Sequence, residues 1–197
     1  MTKRLLFILV LIFNFQSWTK ADDIRDFEIE GISIGDSLFN HMTKKQFNDW
    51  EEYKYYYKGN KFAATPCLPT SEQYEQIGCT YKLVEDENYK IFGVNGTIKF
   101  PNNISMCLKK KDEVSKEFKE ILNNTVINDY GTYVHDADPT GNSMQTVIDF
   151  NFKSGGYIRV ACHDWSKELE DEGWPDEFKV YITSKELEKF INNEAYN

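Results

Sequence analysis

The sequence is short of basic residues: Lys and Arg number 23 against 32 Asp and Glu, which gives a formal net charge of −9. A nucleic-acid-binding surface needs clustered positive charge, so this balance argues against nucleic acid as a partner. The chain also lacks an apolar run of the roughly 20 residues that a membrane-spanning helix requires. Aromatic residues, in contrast, make up 15% of the chain. They supply the apolar surface that a folded core needs and that disordered chains lack.

The first 21 residues have the pattern of a secretory signal peptide. Lys3 and Arg4 form a positively charged start, residues 5–13 are continuously apolar, and Ala21 ends a stretch suited to cleavage. We therefore predict cleavage after Ala21, with retention as an N-terminal anchor as the alternative. Cleavage leaves 20 basic against 32 acidic residues in 22–197, a net charge of −12. This mature segment is predicted to be one periplasmic or secreted domain without a transmembrane segment.

Four cysteines that enter an oxidising compartment predict two disulfide bonds. Cys162 lies on the inner face of a strand-like segment, and Cys107 lies on the apolar stripe of a helical segment. Because both side chains should point into the core, we predict the pair Cys107–Cys162, which leaves Cys67–Cys79 as a local loop closure. A metal site is the alternative, but no CxxC motif supports it.

Strand and helix signals alternate along the mature chain. A long helix with Asn103 as its N-cap is predicted over 104–122, and Thr183 is predicted to cap a terminal helix. The segment 123–143 is predicted to be mainly a polar loop. Because strands that neighbour in sequence are joined by tight turns, the predicted fold class is α+β, an antiparallel sheet of hairpins with helices packed on one side. The clearest strand-like segments are residues 74–84, 89–100, 144–152, 157–162 and 178–182.

Residues 31–35 match the GxSxG pattern of a nucleophile elbow, with Ser33 in the nucleophile position. Such an elbow exposes the serine hydroxyl beside backbone donors, and the reaction also needs an acid and a histidine. Only about ten mature residues precede Ser33, too few for the upstream strands that this kind of site requires. We favour an ordinary turn here. A small hydrolase that uses Ser33 or an acidic pair is the alternative function.

Asp136, Asp138 and Thr140, followed by Gly141, match the first half of a calcium-binding loop. The second half does not match, because Val147 stands where a bidentate Glu belongs. We therefore favour a turn, and calcium is the one cofactor that the sequence suggests.

Aromatic residues in two polar segments are candidate binding residues. Trp174 lies within a run of acidic residues, where it could stack on a sugar or pack beneath the loop. Tyr53, Tyr55 and Tyr57 alternate as in a strand and could recognise a sugar or a protein. Ordinary packing is the interpretation we favour for both groups.

Three segments resemble an uncharacterised family of small exported proteins of marine bacteria. They are residues 22–38 (DDIRDFEIEGISIGDSL), 103–111 (NISMCLKKK) and 193–196 (NEAY). The resemblance implies a bacterial, periplasmic or secreted setting and carries over no catalytic residue.

The functional expectation is therefore a non-catalytic binding protein. No cluster of titratable residues has the neighbours that a reaction would require. A small molecule, an envelope component or a protein is the expected kind of partner, and the acidic surface mildly favours neutral or cationic ones.

Overall fold

A computed structural model describes residues 23–68, 71–83 and 88–195; the predicted signal peptide lies outside these ranges and stays a prediction. The helices are α1 (Lys44–Asp49), α2 (Ile104–Ile121), α3 (Lys167–Asp171) and α4 (Lys185–Asn193). The strands are β1 (Glu28–Ile29), β2 (Ile32–Ser33), β3 (Tyr55–Tyr56), β4 (Phe62–Leu68), β5 (Gln76–Lys82), β6 (Ile91–Lys99), β7 (Thr125–Val134), β8 (Met144–Phe152), β9 (Tyr157–Asp164) and β10 (Glu177–Thr183). Within the described ranges, no helix has the length and apolar character needed to cross a membrane.

Eight strands form one antiparallel sheet in the order β3-β4-β5-β6-β10-β9-β8-β7, and β1 pairs with β2 in a separate hairpin. The chain makes one meander from β3 to β6 and another from β7 to β9. β10 then returns between β6 and β9 and joins the two meanders. The predicted α+β class, the antiparallel sheet and its hairpins are confirmed.

One face of the sheet carries the main hydrophobic core, because alternate residues of each strand point to the same side. Val160 lies between Ile148 and Val180 in the strand register, and all three side chains are buried. Helix α2 lies across β9 and β10 on this face, where Phe118 contacts Phe150 with ring centroids 5.6 Å apart. The apolar stripe of α2 thus covers the centre of the inner face.

Both disulfides fix elements of the sheet. Cys107 of α2 is bonded to Cys162 of β9, with their Cα atoms 5.9 Å apart. Cys67 of β4 is bonded to Cys79 of β5, with a Cα separation of 5.7 Å. This is the predicted pairing, and it attaches α2 covalently to the inner face.

The segment before α1 covers the remainder of the inner face. Ile24 begins a short 3-10 turn, and the chain enters β1 only at Glu28. The turn forms because the carboxylate of Asp23 accepts a hydrogen bond from the Arg25 backbone N–H at 2.9 Å. Ile29 and Leu38 are then buried against the sheet, which explains why this polar-looking segment belongs to the fold.

Helix α4 lies at one end of the opposite face. There Gly93 leaves room for the helix, since a Cβ atom at that position would lie 2.7 Å from Cδ2 of Leu187. Phe190 contacts Phe62, with ring centroids 4.9 Å apart. The helices therefore lie on the two faces of the sheet: α2 on the inner face and α4 at the edge of the other.

Two local expectations differ from the structure. The predicted polar loop over 123–143 contains β7, a ten-residue strand. The N-cap of α4 is Ser184, one residue after the predicted Thr183, because the Ser184 Oγ accepts the Leu187 N–H at 3.2 Å.

Candidate functional site

The face of the sheet opposite α2 carries a layer of polar and aromatic side chains, which we call the open face. The register aligns Gln145 of β8, His163 of β9 and Glu177 of β10 in one row. At the centre of the face, Val147 and Ala161 have no exposed surface, because longer side chains surround them. The larger members of the open face are Tyr133, Gln145, Asp149, Tyr157, Arg159, His163, Glu177, Lys179 and Tyr181.

Arg159 and Asp149 form a bidentate ion pair on the open face. Arg159 Nε donates to Asp149 Oδ1 at 2.7 Å, and Nη2 donates to Oδ2 at 2.8 Å. The guanidinium also lies 5.1 Å from the ring centroid of Tyr157. Burial alone would lower the pKa of Arg159, but the hydrogen bonds to Asp149, together with the electrostatic influence of Tyr157, Asp149 and Tyr133, raise the pKa. The result is a fixed donor group above a buried carboxylate.

A second buried carboxylate lies between a lysine and a histidine. Glu177 Oε1 is 2.5 Å from Lys179 Nζ and 3.5 Å from His163 Nδ1. Burial alone would raise the pKa of Glu177, but His163 and Lys179 together lower it. Burial lowers the pKa of His163, which favours the neutral imidazole. Within the described residues, His163 Nδ1 has no hydrogen-bond partner.

Five aromatic rings lead from this group past the end of β9 to the loop before β10, and we call them the aromatic ladder. Tyr181 stacks on His163 at 6.5 Å, and His163 contacts His135 at 4.8 Å between ring centroids. His135 contacts Trp165 at 4.3 Å, and Trp165 contacts Trp174 at 5.4 Å. Burial, together with the neighbouring His163, lowers the pKa of His135 to about 4. The ladder is therefore uncharged at neutral pH.

Trp174 ends the ladder in solvent, with 52% of its surface exposed. The preceding Gly173 has φ +101°, a conformation that L side chains rarely adopt, and it turns the chain after α3. The Trp174 backbone N–H then donates to the Leu169 carbonyl at 2.9 Å. The sequence left stacking and packing open for Trp174, and the ring contacts Trp165 while about half of its surface stays exposed.

The acidic residues around Trp174 are in part structural. Lys167 and Asp171 form an ion pair one turn apart on α3. Asp176 is buried, and its Oδ1 accepts the Trp165 backbone N–H at 3.1 Å. Burial, with the nearby Asp164, raises the pKa of Asp176, and burial also raises the pKa of Asp164. Asp176 therefore has a structural role, because it holds the backbone N–H of Trp165.

Asp138, in the predicted calcium loop, has its carboxylate directed inward. Its Oδ1 accepts hydrogen bonds from the Thr140 N–H and hydroxyl, and its Oδ2 accepts them from the Ser143 N–H and hydroxyl. These bonds, first of all those from Ser143, lower the pKa of Asp138. Asp136 is exposed. A cation would have to replace this network, and the described residues contain no group of three or more His, Cys, Asp or Glu placed to hold a metal.

The three tyrosines of the predicted strand occupy different environments. Tyr53 lies in a 3-10 turn and is exposed, and Tyr55 begins the two-residue strand β3. Tyr57 is half-buried: its ring contacts Tyr55 at 4.9 Å and Phe190 of α4 at 5.8 Å. The structure therefore brings Tyr55 and Tyr57 together, at the edge of the sheet that is remote from β7.

Ser33 lies at the end of β2, beside an aspartate and a histidine. Asp36 Oδ2 accepts the backbone N–H of Ser33 at 3.0 Å and lies 2.9 Å from His41 Nε2. A catalytic triad places the imidazole between the hydroxyl and the carboxylate. Here the carboxylate lies between the serine backbone and the imidazole, which is the arrangement of a closed turn.

A shallow cavity of about 270 Å³ lies elsewhere, at the end of the sheet next to α4. Its lining includes Arg25, Lys90, Lys185 and Glu186. Arg25 is paired with Asp23, and Lys185 donates to the Ser154 carbonyl at 3.2 Å. The basic groups there are thus partly engaged within the chain.

Comparison with protein families, curated proteins and solved structures finds no match to this chain. The resemblance to small exported bacterial proteins stays a prediction.

The strand predicted over 157–162 stops just before His163, and nothing in the sequence connected His163 with His135 or Glu177. The signal was weak, since the three residues are far apart in sequence. They meet only because β10 pairs with β9 and because the loop after β7 folds back.

Proposed function

We propose that the protein is an exported domain, periplasmic or secreted, that binds a partner rather than catalysing a reaction. The proposed binding surface is the open face together with Trp174. The observation that carries the proposal is the aromatic ladder, which runs from buried His163 to half-exposed Trp174. A ring held in this way offers area for stacking at a small cost in conformational entropy.

The chemistry of the open face favours a neutral, hydroxyl-rich ligand, such as a carbohydrate of the cell envelope. Arg159 and Lys179 lie above the buried carboxylates of Asp149 and Glu177, so each cation is neutralised locally but keeps donor capacity. Aromatic rings can stack on the apolar face of a sugar while such donors bind its hydroxyl groups. The mature net charge of −12, which is 20 basic minus 32 acidic residues, disfavours anionic ligands.

Isothermal titration calorimetry on the mature, disulfide-bonded protein tests this proposal, with neutral oligosaccharides of glucose, galactose and N-acetylglucosamine as probes. We expect Trp174→Ala to raise the Kd of a bound oligosaccharide at least about tenfold, because a stacked ring is lost. Tyr55→Ala is the matched control, since Tyr55 is 53% exposed on the edge strand β3, which is separated from β10 by three strands. Absence of binding to every probe, or an equal effect of the two variants, would contradict the proposal.

Export is tested separately from binding. N-terminal sequencing of the protein purified from its native host should give Asp22 as the first residue, and a thiol assay should find no free cysteine. An uncut, reduced protein in the cytosol would contradict export.

The hydrolase alternative also has a direct test. The turn at Ser33, with Asp36 on its backbone N–H, supports a structural role. Labelling of Ser33 by a fluorophosphonate probe would favour the hydrolase over the binding proposal.

A further inference from the structure

Strand β7 is the outermost strand on one side of the sheet and pairs only with β8. Its exposed large apolar side chains are 41–56% exposed, and its single charge within Thr125–Val134 is Asp129. A long edge strand of this composition is a template for pairing with another strand, and natural proteins usually block it with lysine, proline, a bulge or a short length. Of these devices β7 has only a bulge, which follows Asp129. The apolar residues are Val126, Ile127, Tyr130 and Val134.

The other edge of the sheet is blocked in these ways. β3 is only two residues long, and β4 carries Pro66, which cannot donate a ladder hydrogen bond. Lys54 directly precedes β3. The contrast indicates that the exposure of β7 is specific to that edge.

The direction of the backbone groups of β7 follows from two hydrogen bonds at the ends of β8. The His135 N–H donates to the Ser143 carbonyl at 2.9 Å, so odd-numbered residues of β8 bond to β7. The Phe152 N–H donates to the Gly156 carbonyl at 3.0 Å, so even-numbered residues bond to β9. Ile127 lies opposite an even-numbered residue, Phe150, and its own N–H and carbonyl therefore point away from the sheet.

The same alternation directs the backbone groups of Asp129 and the carbonyl of Thr125 outward, whereas the Thr125 N–H donates to the Leu122 carbonyl at 3.5 Å. The register shifts between Asp129 and Gly131, so Thr125–Asp129 is the straight part of the strand before a bulge. Five residues with outward groups at positions one, three and five can pair with their own copy in antiparallel orientation. The central residue then lies on the two-fold axis.

We propose that Thr125–Asp129 pairs with the same segment of a second copy of this chain, with the two-fold axis at Ile127. The N–H of each Ile127 donates to the carbonyl of the other, and Asp129 lies opposite Thr125 in both directions. The two Ile127 side chains lie side by side on one face, where cross-strand apolar pairs stabilise a sheet. The two sheets become one continuous antiparallel sheet.

The charges of β7 are compatible with a second copy at this edge, although the net charge of the chain is negative. Each mature chain carries a net charge of −12 (20 − 32), so two copies repel each other over most of their surfaces. In this register Asp129 meets the neutral Thr125, and no like charges lie opposite each other. Salt should therefore strengthen the dimer, since it screens the general repulsion and leaves the backbone pairing intact.

Sedimentation equilibrium on the mature, disulfide-bonded chain tests the proposal. Ile127→Pro removes the outward N–H without removing a bond to β8. Because the dimer has a two-fold axis at this residue, one substitution removes two hydrogen bonds from it. We expect the dimer Kd to rise at least about tenfold from the two lost hydrogen bonds. Val134→Pro is the matched control: its N–H also points outward, but it lies outside the paired segment.

Ile127→Lys is a second variant that keeps the backbone N–H. It places two like charges side by side at the axis and should also abolish the dimer. Circular dichroism, and a melting temperature measured at a concentration at which the wild-type chain is monomeric, establish that each variant is folded. A wild-type chain that stays monomeric at millimolar concentration, a dimer weakened by salt, or an equal loss in Val134→Pro would overturn the proposal.

Discussion

Arg159 and Asp149 face each other across β9 and β8, and their side chains are joined by two hydrogen bonds of 2.7 and 2.8 Å. Asp149 is 3% exposed, so its carboxylate is hydrogen-bonded by this guanidinium and has little contact with water. Arg25 and Asp23 make the same bidentate contact near the surface, at 2.8 and 3.0 Å. The chain thus contains one kind of ion pair in two environments, which separates the effect of burial from that of geometry.

We expect Arg159→Ala to lower the free energy of unfolding by about 2–4 kcal/mol, because the Asp149 carboxylate stays buried without its partner. Arg25→Ala should cause little or no loss, since water can solvate Asp23. Urea unfolding at pH 7 with the disulfides intact measures both changes. Equal losses in the two variants would contradict the assignment of Asp149 to a buried site.

The two disulfides should contribute unequally to stability. Cys107–Cys162 closes a sequence separation of 55 residues, whereas Cys67–Cys79 closes one of 12. By the chain-entropy relation they contribute about 4 and about 3 kcal/mol. We expect Cys107→Ala with Cys162→Ala to lower the melting temperature more than Cys67→Ala with Cys79→Ala. The reverse order would show that anchoring α2 is not the larger constraint.

The aromatic ladder predicts a loss of stability in mild acid. The pKa of His135 is about 4 in the folded protein and 6.5 in its unperturbed state, so the unfolded chain binds this proton first as the pH falls. Stability should therefore decrease from about pH 6.5 to about pH 4 and stop decreasing from this cause below that range. The groups that act on His135 are His163, Asp136, Lys179 and Glu177.

His135→Gln provides the test, with unfolding measured by urea between pH 7 and pH 4. The variant should show a shallower dependence on pH in this window, and His163→Gln should change the slope in the same direction because burial also lowers the pKa of His163. Because the pKa of Glu177 is lowered from its unperturbed value of 4.5, Glu177 causes a further loss of stability only as the pH falls below about 4.5. If the free energy of unfolding depended on pH in both variants as it does in the wild type, the aromatic ladder would not be buried and neutral.

The parts of the fold that the sequence predicted are those in which the local pattern and the tertiary environment agree. Strand β9 alternates Ile158, Val160 and Cys162 toward the core, and α2 carries Cys107 on an apolar stripe. This is why both the hairpin and the disulfide pairing could be inferred. Capping by Asn103 was also visible, because a side-chain cap is a local interaction.

The missed features depend on contacts between distant segments. β7 lacks a buried face, so its Asn, Asp and Gly residues resemble a loop until β8 supplies the pairing. His135, His163 and Glu177 likewise form a group only through the strand order, which no spacing in the sequence encodes. The calcium-like pattern at Asp138 was visible, but the hydroxyl groups of Thr140 and Ser143 form the network that the pattern could not reveal.

The position of α4 on the open face depends on the absence of a side chain at Gly93. A Cβ atom there would lie 2.7 Å from Cδ2 of Leu187 and 3.4 Å from Cβ of Thr80. We expect Gly93→Ala to lower the free energy of unfolding by about 1–3 kcal/mol, because the helix must shift away from the sheet. Leu187→Ala alone should also destabilise the protein, by about 2–4 kcal/mol, since it leaves a cavity.

The variant that combines Gly93→Ala with Leu187→Ala is the decisive measurement. Because the alanine at 93 fills part of the space that Leu187 leaves, the double variant should lose less stability than the sum of the two single losses. Strict additivity in urea unfolding would mean that the two residues do not share this contact.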